Sequence, residues 1–240
     1  MKRKIISMSA LFILNSLLLT QNSKAYLEEN NYNTNIITTE TANLDISPNT
    51  EIKPKSYVLK VPTLSQIVPD FIPMGCECVA ENMALKFKGV TNLSSKDLID
   101  NMNNSDNPKL GFIGDMYSFK NYRGTIPAVW PERIITQVKQ FRPNSYYSNS
   151  LTAEQLENEI ANNNPVMVWY SWEKVDKALI VPGEFNPIMT SNGLHCTLLV
   201  GYDEKNWYFN DPAYGKVRKL DKNEFYAKYL AYGMKSVVIK

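Results

Sequence analysis

Histidine and cysteine are scarce in this sequence. The 240 residues include one histidine and three cysteines, so any reaction that needs an imidazole must use His195. Glycine and proline number only 10 and 13, and the chain is 44% hydrophobic and 21% charged. This composition excludes collagen-like, coiled-coil and wholly disordered chains and is typical of a soluble globular protein with one or two domains.

The sequence also lacks a strong excess of charge of either sign. Its formal net charge is +2, but the first 25 residues contain four cations and no acid, so the rest of the chain has a net charge of −2. This balance gives no electrostatic support for a nucleic-acid partner or for a polybasic contact with a membrane surface.

No apolar run is long enough to span a membrane, and we expect no integral membrane domain. The longest run, Ile5 to Leu19, is interrupted by polar residues, whereas a span needs about 20 predominantly apolar residues. It follows Lys2-Arg3-Lys4 and precedes Ser23-Lys24-Ala25, which is the layout of a secretory signal peptide. We therefore expect residues 1–25 to be a cleaved signal peptide and the mature chain to be secreted, with retention at the cell surface left open.

Residues 26–56 lack apolar periodicity. They are rich in Asn, Thr and Glu and cannot bury enough surface to offset the entropy of ordering, so we expect a disordered linker. A removable pro-segment is the alternative. Because no repeat or second low-complexity segment follows, residues 57–240 are predicted to form one domain.

The remaining chain has helical patterns first and strand patterns later. Apolar spacing and capping residues predict helices from Cys76 to about Gly89, over Lys96–Met102, over Pro131–Gln140 and over Thr152–Asn162. Strands are predicted over Tyr57–Val61, Val166–Tyr170, Leu194–Tyr202, Trp207–Phe209 and Ser236–Ile239. This order, with short turns between neighbouring strands, predicts an α+β fold with an antiparallel sheet rather than a doubly wound one.

Cys76 is expected in the first turn of a helix, directly after Gly75. Unpaired backbone N–H groups and the helix dipole favour a negative charge there and lower the pKa of a thiol, which makes Cys76 a candidate nucleophile. Helical spacing puts it on the face of Val79 and Ala80, toward the sheet, while Cys78 points away. The alternative is an ordinary buried thiol.

Three further residues could complete a catalytic site. His195 begins an apolar strand, and an antiparallel partner strand that ends at Asp211 could bring a carboxylate to the imidazole and orient it. Gln66, in the loop before Cys76, could stabilise an oxyanion together with the Cys76 backbone N–H. The simpler alternatives are a structural histidine, an Asx turn before Pro212 and a solvated loop amide.

Cysteine, histidine and aspartate in this chain order, with a helix-borne nucleophile and a strand-borne base, are typical of papain-like cysteine peptidases. Four segments add a closer resemblance: Val61–Gln66, Gly75–Glu77, Gly111–Asp115 and Leu194–Pro212. Together they resemble the bacterial bacteriocin-leader (double-glycine) peptidases, cysteine peptidase family 39, above all the stand-alone secreted relatives of that family.

The resemblance implies a papain-like α+β fold, with N-terminal helices packed on a C-terminal antiparallel sheet. It implies Cys76 as nucleophile, His195 as general base and then acid, Asp211 as its orienting partner and Gln66 in the oxyanion hole. The leader-peptide substrate does not carry over, because the chain has neither the membrane domain nor the nucleotide-binding domain of the transporter-fused members. We expect a secreted cysteine peptidase or amidase that needs no cofactor.

The sequence leaves open both the substrate and the group, water or an amine, that accepts the acyl moiety. Hydrolysis of peptide, isopeptide or cell-wall amide bonds and transpeptidation would use the same residues. Two loops, Gly111 to Pro131 and Lys174 to Asn192, are expected to shape the cleft.

A zinc site, a disulfide and a second function class are also open. Cys76, Cys78, His195 and Cys196 could bind zinc, although neither pair has the usual ligand spacing. A Cys78–Cys196 disulfide would leave Cys76 free. The second function class is a catalytically inactive papain-like binding module, in which aromatic residues such as Trp169, Tyr170 and Trp172 would line a recognition groove.

Overall fold

The structure, a computed structural model of the chain, describes residues 53–119, 127–173 and 193–240. The predicted signal peptide and most of the predicted linker lie outside the described residues. The predicted cleft loop before His195 also lies outside them, and the loop from Gly111 to Pro131 is described only in part. Among the helices within these three ranges, none has the length and apolar character needed to cross a membrane.

In the described ranges, the strands form one seven-stranded antiparallel sheet. The strands are β1 (Tyr57–Val58), β2 (Tyr146–Ser148), β3 (Val166–Ser171), β4 (Leu194–Tyr202), β5 (Asn206–Asp211), β6 (Lys216–Asp221) and β7 (Ser236–Val238). Their order is β2-β7-β3-β4-β5-β6, and β1 also pairs with β4. The side chains of β3 and β4 are nearly all buried at the centre of the sheet. The predicted α+β organisation with an antiparallel sheet is confirmed.

Five helices accompany the sheet in the part of the chain that is described. They are α1 (Cys76–Phe87), α2 (Ser95–Asp100), α3 (Pro131–Val138), α4 (Ala153–Ala161) and α5 (Lys222–Leu230). The sequence predicted the first four. Capping boxes precede α2 at Ser94 and α4 at Thr152, and Gly89, with φ of 90°, follows the end of α1.

The sequence analysis did not predict β2, β6 or α5. Strand β6 lies at an edge of the sheet and its side chains are mostly exposed, so its charged sequence has no apolar alternation. Helix α5 follows it directly, with the Asp221 side chain accepting hydrogen bonds from the backbone N–H groups of Asn223 and Glu224.

Helix α1 packs on the central strands of the sheet. Its residues Val79, Ala80 and Met83 are fully buried, as are Trp169 of β3 and Cys196 of β4, which face one another across the ladder. The N-terminus of α1 therefore lies close to the start of β4, where His195 is found.

Glu81 is an unpaired acid in this core. It is fully buried on α1, and neither carboxyl oxygen has a hydrogen-bond partner among the described residues. Burial raises the pKa of Glu81 from 4.5 to about 8, against an opposing effect of the Arg133 charge. Between pH 4.5 and about 8, Glu81 therefore carries a proton in the folded protein but not in the unfolded chain. This contribution to the free energy of unfolding is complete below about pH 4.5 and is lost as the pH rises through about 8, with a slope of up to about 1.4 kcal/mol per pH unit.

Glu81→Gln should therefore flatten the pH dependence of stability and raise the free energy of unfolding at pH 8 relative to the unsubstituted protein. Urea unfolding at pH 5 and pH 8 measures both effects. Glu154→Gln, an exposed change on α4, is the matched control and should leave the slope unchanged. An unchanged slope in Glu81→Gln would show that this carboxyl does not take up the proton on folding.

Candidate active site

Cys76 is the first residue of α1 and lies against the start of β4. It is partly exposed, and its sulfur accepts a hydrogen bond from the backbone N–H of Cys196, the residue that follows His195. The preceding Gly75 is tightly packed, because a Cβ there would lie 2.4 Å from Cγ2 of Ile72. A side chain before Cys76 would push this loop away from the helix N-terminus.

His195 and Asp211 form a buried pair on neighbouring strands. His195 is 4% exposed and Asp211 is fully buried, and 2.9 Å separate His195 Nε2 from Asp211 Oδ1. The antiparallel pairing of β4 with β5 brings them together, as the sequence analysis expected. Because this contact occupies Nε2, Nδ1 is the ring nitrogen that is left for the thiol.

Arg218 of β6 completes a chain of three charged or polar side chains. Its Nη1 donates to Asp211 Oδ2 at 3.0 Å, while the backbone N–H of Ala213 donates to Oδ1 at 3.0 Å. Burial pushes the pKa of Asp211 upward, but hydrogen bonds and positive charge from His195 and Arg218 hold that pKa below its ordinary value. The carboxylate therefore stays ionised beside the imidazole.

Aromatic rings cover the buried His195–Asp211 pair. The Trp172 ring lies edge-on to His195 with 4.6 Å between ring centroids, and Tyr214 stacks on Trp172 at 5.6 Å. The Arg218 guanidinium lies 4.6 Å from the Tyr214 ring centroid. A low-polarity cover of this kind keeps water away from the pair and strengthens the hydrogen bond between its members.

Gln66 lies between the loop after Asp211 and the segment that leads to Cys76. Its backbone N–H donates to Pro212 O at 2.8 Å, and its side-chain Nε2 donates to Pro73 O at 2.6 Å. The side chain is 6% exposed. One of its two amide hydrogens is therefore occupied, and its Oε1 is buried without a hydrogen-bond partner among the described residues.

Glu77 contacts the sulfur of Cys76. The two atoms Cys76 Sγ and Glu77 Oε2 are 3.1 Å apart, and Oε1 accepts a hydrogen bond from the backbone N–H of Val129 at 3.2 Å. Burial raises the pKa of the Cys76 thiol well above its ordinary value, and the negative charge of Glu77 raises it further. The sequence analysis expected a lowered pKa from the helix N-terminus, whereas burial and the neighbouring acid act in the opposite direction.

Sequence reasoning missed part of this site. It used Glu77 only as part of a family motif, assigned Trp172 to a recognition groove and did not identify Arg218. The one signal for Arg218 was a charged residue in the segment that follows Asp211, and such segments are usually solvated.

The other two cysteines carry buried thiols. Cys78 and Cys196 are fully buried free thiols, so they form no disulfide, and Cys78 Sγ lies 3.8 Å from the sulfur of Met116. In the described part of the chain, no three His, Cys, Asp or Glu side chains are grouped as a metal site would require. The four zinc-ligand candidates therefore do not converge on a common centre.

Comparison with known proteins adds a family and a fold. Residues 58–237 match the model of the Peptidase_C39 like family. The crystal structure of a candidate C39-like peptidase from Bacillus anthracis aligns over 78% of this chain and 98% of its own, with a TM-score of 0.64 and 22% sequence identity. No curated protein matches the chain significantly.

Two structures of eukaryotic cysteine proteases align less closely. A Carica candamarcensis cysteine protease in complex with E-64 has a TM-score of 0.45 and 14% identity, with 77% of this chain and 97% of that chain covered. Digestive procathepsin L 3 of Tenebrio molitor has a TM-score of 0.48 and 12% identity, with coverages of 79% and 70%.

Proposed function

This chain belongs to the Peptidase_C39 like family and is a cysteine peptidase, and we propose that it cleaves peptide or amide bonds through an acyl-enzyme formed on Cys76. Its fold is the α+β, papain-like one, with a cysteine-bearing helix packed on an antiparallel sheet. The observation that carries the mechanism is the buried His195–Asp211 pair, 2.9 Å apart, beside the N-terminus of α1.

In the proposed reaction, His195 Nδ1 takes the proton of Cys76 while the sulfur attacks the acyl carbon. The carbonyl electron pair moves to oxygen, and when it returns, the carbon–nitrogen bond breaks and the imidazolium protonates the leaving amine. His195 then takes a proton from water, which attacks the thioester. The acid is released, and the sulfur recovers its proton from the imidazolium.

The negative oxygen of the tetrahedral intermediate needs donors. The backbone N–H of Cys76 lies in the first turn of α1, where backbone donors have no partner within the helix. The free amide hydrogen of Gln66 is the proposed second donor. Gln66 is hydrogen-bonded to Pro73, two residues before Gly75, so this loop would hold the two donors in register.

The proposed substrate is a polypeptide or cell-wall peptide outside the cell. Export is supported by the signal-peptide pattern of residues 1–25. Phe71 and Phe119 are 56% and 67% exposed with their ring centroids 5.9 Å apart, and they offer an apolar contact to a substrate.

The second candidate function is a catalytically inactive binding module. The raised pKa of Cys76 and the exposed rings of Trp172 and Tyr214 favour it. Because burial opposes the thiolate, transfer of the Cys76 proton to His195 is what would make this sulfur reactive. The reactivity of Cys76 therefore separates the two functions.

The test is alkylation by iodoacetamide at pH 6, followed by peptide mass spectrometry, in the unsubstituted protein and in His195→Ala. We expect Cys76 to react much faster than an ordinary thiol, which is almost wholly protonated at this pH. His195→Ala should remove that advantage. The buried Cys78 and Cys196 serve as internal controls in the same digest.

Slow alkylation of Cys76 in both proteins would contradict the acyl-enzyme mechanism and favour the binding module. Fast alkylation that persists in His195→Ala would contradict the role of the imidazole and leave the sulfur reactive for another reason.

A further inference from the structure

Glu77 is positioned to exchange a hydrogen bond with the sulfur of the proposed nucleophile. Its side chain is 2% exposed, and the 3.1 Å contact between Oε2 and Cys76 Sγ lets either atom donate. The other carboxyl oxygen is held by the Val129 backbone N–H. The carboxyl group is therefore fixed against the sulfur from both ends.

The groups in direct contact with Glu77 do not neutralise it. They are the Cys76 thiol, the backbone N–H groups of Glu77 and Val129 and the Trp169 side chain, and none of them carries a positive charge. The neighbouring groups that can titrate are Cys78 and Glu81 on α1, Cys196 and His195 on β4, and Tyr170 on β3, while Arg133 of α3 acts on Cys78 and Glu81. Hydrogen bonds from these groups favour the ionised carboxylate, but an ionised Glu77 would face a thiolate at 3.1 Å with no positive charge in contact with it.

We propose that Glu77 must carry a proton for the Cys76 thiolate to form, so that this carboxyl group sets the alkaline limit of catalysis. The inference rests on the proposed function, in which Cys76 is the nucleophile. Two negative charges at this distance in a poorly solvated site repel strongly, whereas a protonated carboxyl donates a hydrogen bond to the thiolate.

Glu77 changes the number of protons that the active site must hold. A site of cysteine and histidine alone needs one proton, on the imidazole, to form the thiolate–imidazolium pair. With Glu77 present the site needs two, one on His195 and one on Glu77, and the loss of the second returns the sulfur to the thiol form. Burial raises the pKa of the Glu77 carboxyl above its ordinary value, so the second proton is retained to a higher pH than on an exposed glutamate.

The first experiment compares the pH dependence of kcat/KM for the full chain with that of Glu77→Gln, which keeps the side-chain volume and an N–H donor to the sulfur. We expect the alkaline limb of Glu77→Gln to move up by at least about one pH unit, which makes kcat/KM roughly tenfold higher in that range. Glu81→Gln is the matched control, since Glu81 is as buried and on the same helix but has no contact with the sulfur. Its alkaline limb should stay in place.

The second experiment needs neither a substrate nor a variant. If Glu77 holds the second proton, the rate of Cys76 alkylation by iodoacetamide should pass through a minimum as the pH rises, because loss of that proton converts the thiolate to the thiol. A rate that never falls with rising pH would overturn the proposal. So would identical alkaline limbs in the unsubstituted protein and a folded Glu77→Gln.

Failure of this inference and failure of the proposed function give different results. Hydrolysis with no shift in Glu77→Gln contradicts only the role of Glu77. Absence of hydrolysis with an alkylation minimum supports the role of Glu77 and contradicts the peptidase mechanism.

Discussion

Cys76→Ala is expected to abolish peptide hydrolysis, lowering kcat by about 10⁴-fold or more. The proposed mechanism forms its covalent intermediate on this sulfur, and no other cysteine is accessible, because Cys78 and Cys196 are fully buried. Alanine fits the same partly exposed position at the start of α1, so the midpoint of thermal unfolding should change little. Hydrolysis of a fluorogenic peptide library and of a denatured protein substrate measures the loss.

Cys78→Ala is the matched control for this experiment. It removes a thiol two residues away that contacts Met116 in the core, so it should lower stability slightly and leave kcat unchanged. If Cys76→Ala retained hydrolysis, or if both variants lost it equally, the assignment of the nucleophile would be wrong.

Asp211→Ala is expected to lower kcat by about 10²- to 10⁴-fold and to destabilise the fold. The imidazole of His195 loses the partner at Nε2 that orients it, and Arg218 is left with an uncompensated charge among the Trp172 and Tyr214 rings. Removing one partner of a buried ion pair costs about 3–5 kcal/mol, and less here because Arg218 is partly exposed. Steady-state kinetics and urea unfolding of the same preparation separate the two effects.

A second substitution distinguishes orientation from stability. Arg218→Met in the Asp211→Ala background removes the unpaired charge, so it should recover part of the free energy of unfolding without recovering kcat. Asp100→Asn, an exposed change on α2, is the control for general loss of a carboxylate. Recovery of kcat together with stability would show that Asp211 acts only by holding the fold.

Much of the fold could be predicted because its signals are local. The apolar spacing that begins at Cys76, the capping box at Thr152 and the continuous apolar run of β4 each act within a few residues, and each lies where it was predicted. Strand β6 and helix α5 could not be predicted in this way. Their residues gain structure from pairing with β5 and from the cap at Asp221, and neither contact leaves an apolar pattern.

The candidate site also combines features that local sequence signals predict with features that depend on contacts between distant segments. The types and chain order of Cys76, His195 and Asp211 were visible in the sequence, because only one histidine exists and strand alternation limits what can face it. The approach of Arg218 to Asp211 was not, since it depends on the β5–β6 register. The pairing of two strands brings together residues whose sequence neighbours are typical of solvated segments.

The sequence by itself determined which side chains are available for chemistry and which elements carry them, because helix and strand periodicity are properties of short segments. Only the tertiary structure decided the ionisation of the site. The pKa of Cys76 depends on how deeply α1 is buried against β4 and on the 3.1 Å contact with Glu77, and the charge of Asp211 depends on its contacts with His195 and Arg218. Solvation and charge proximity are set by atoms distant in the chain, so no local pattern encodes them.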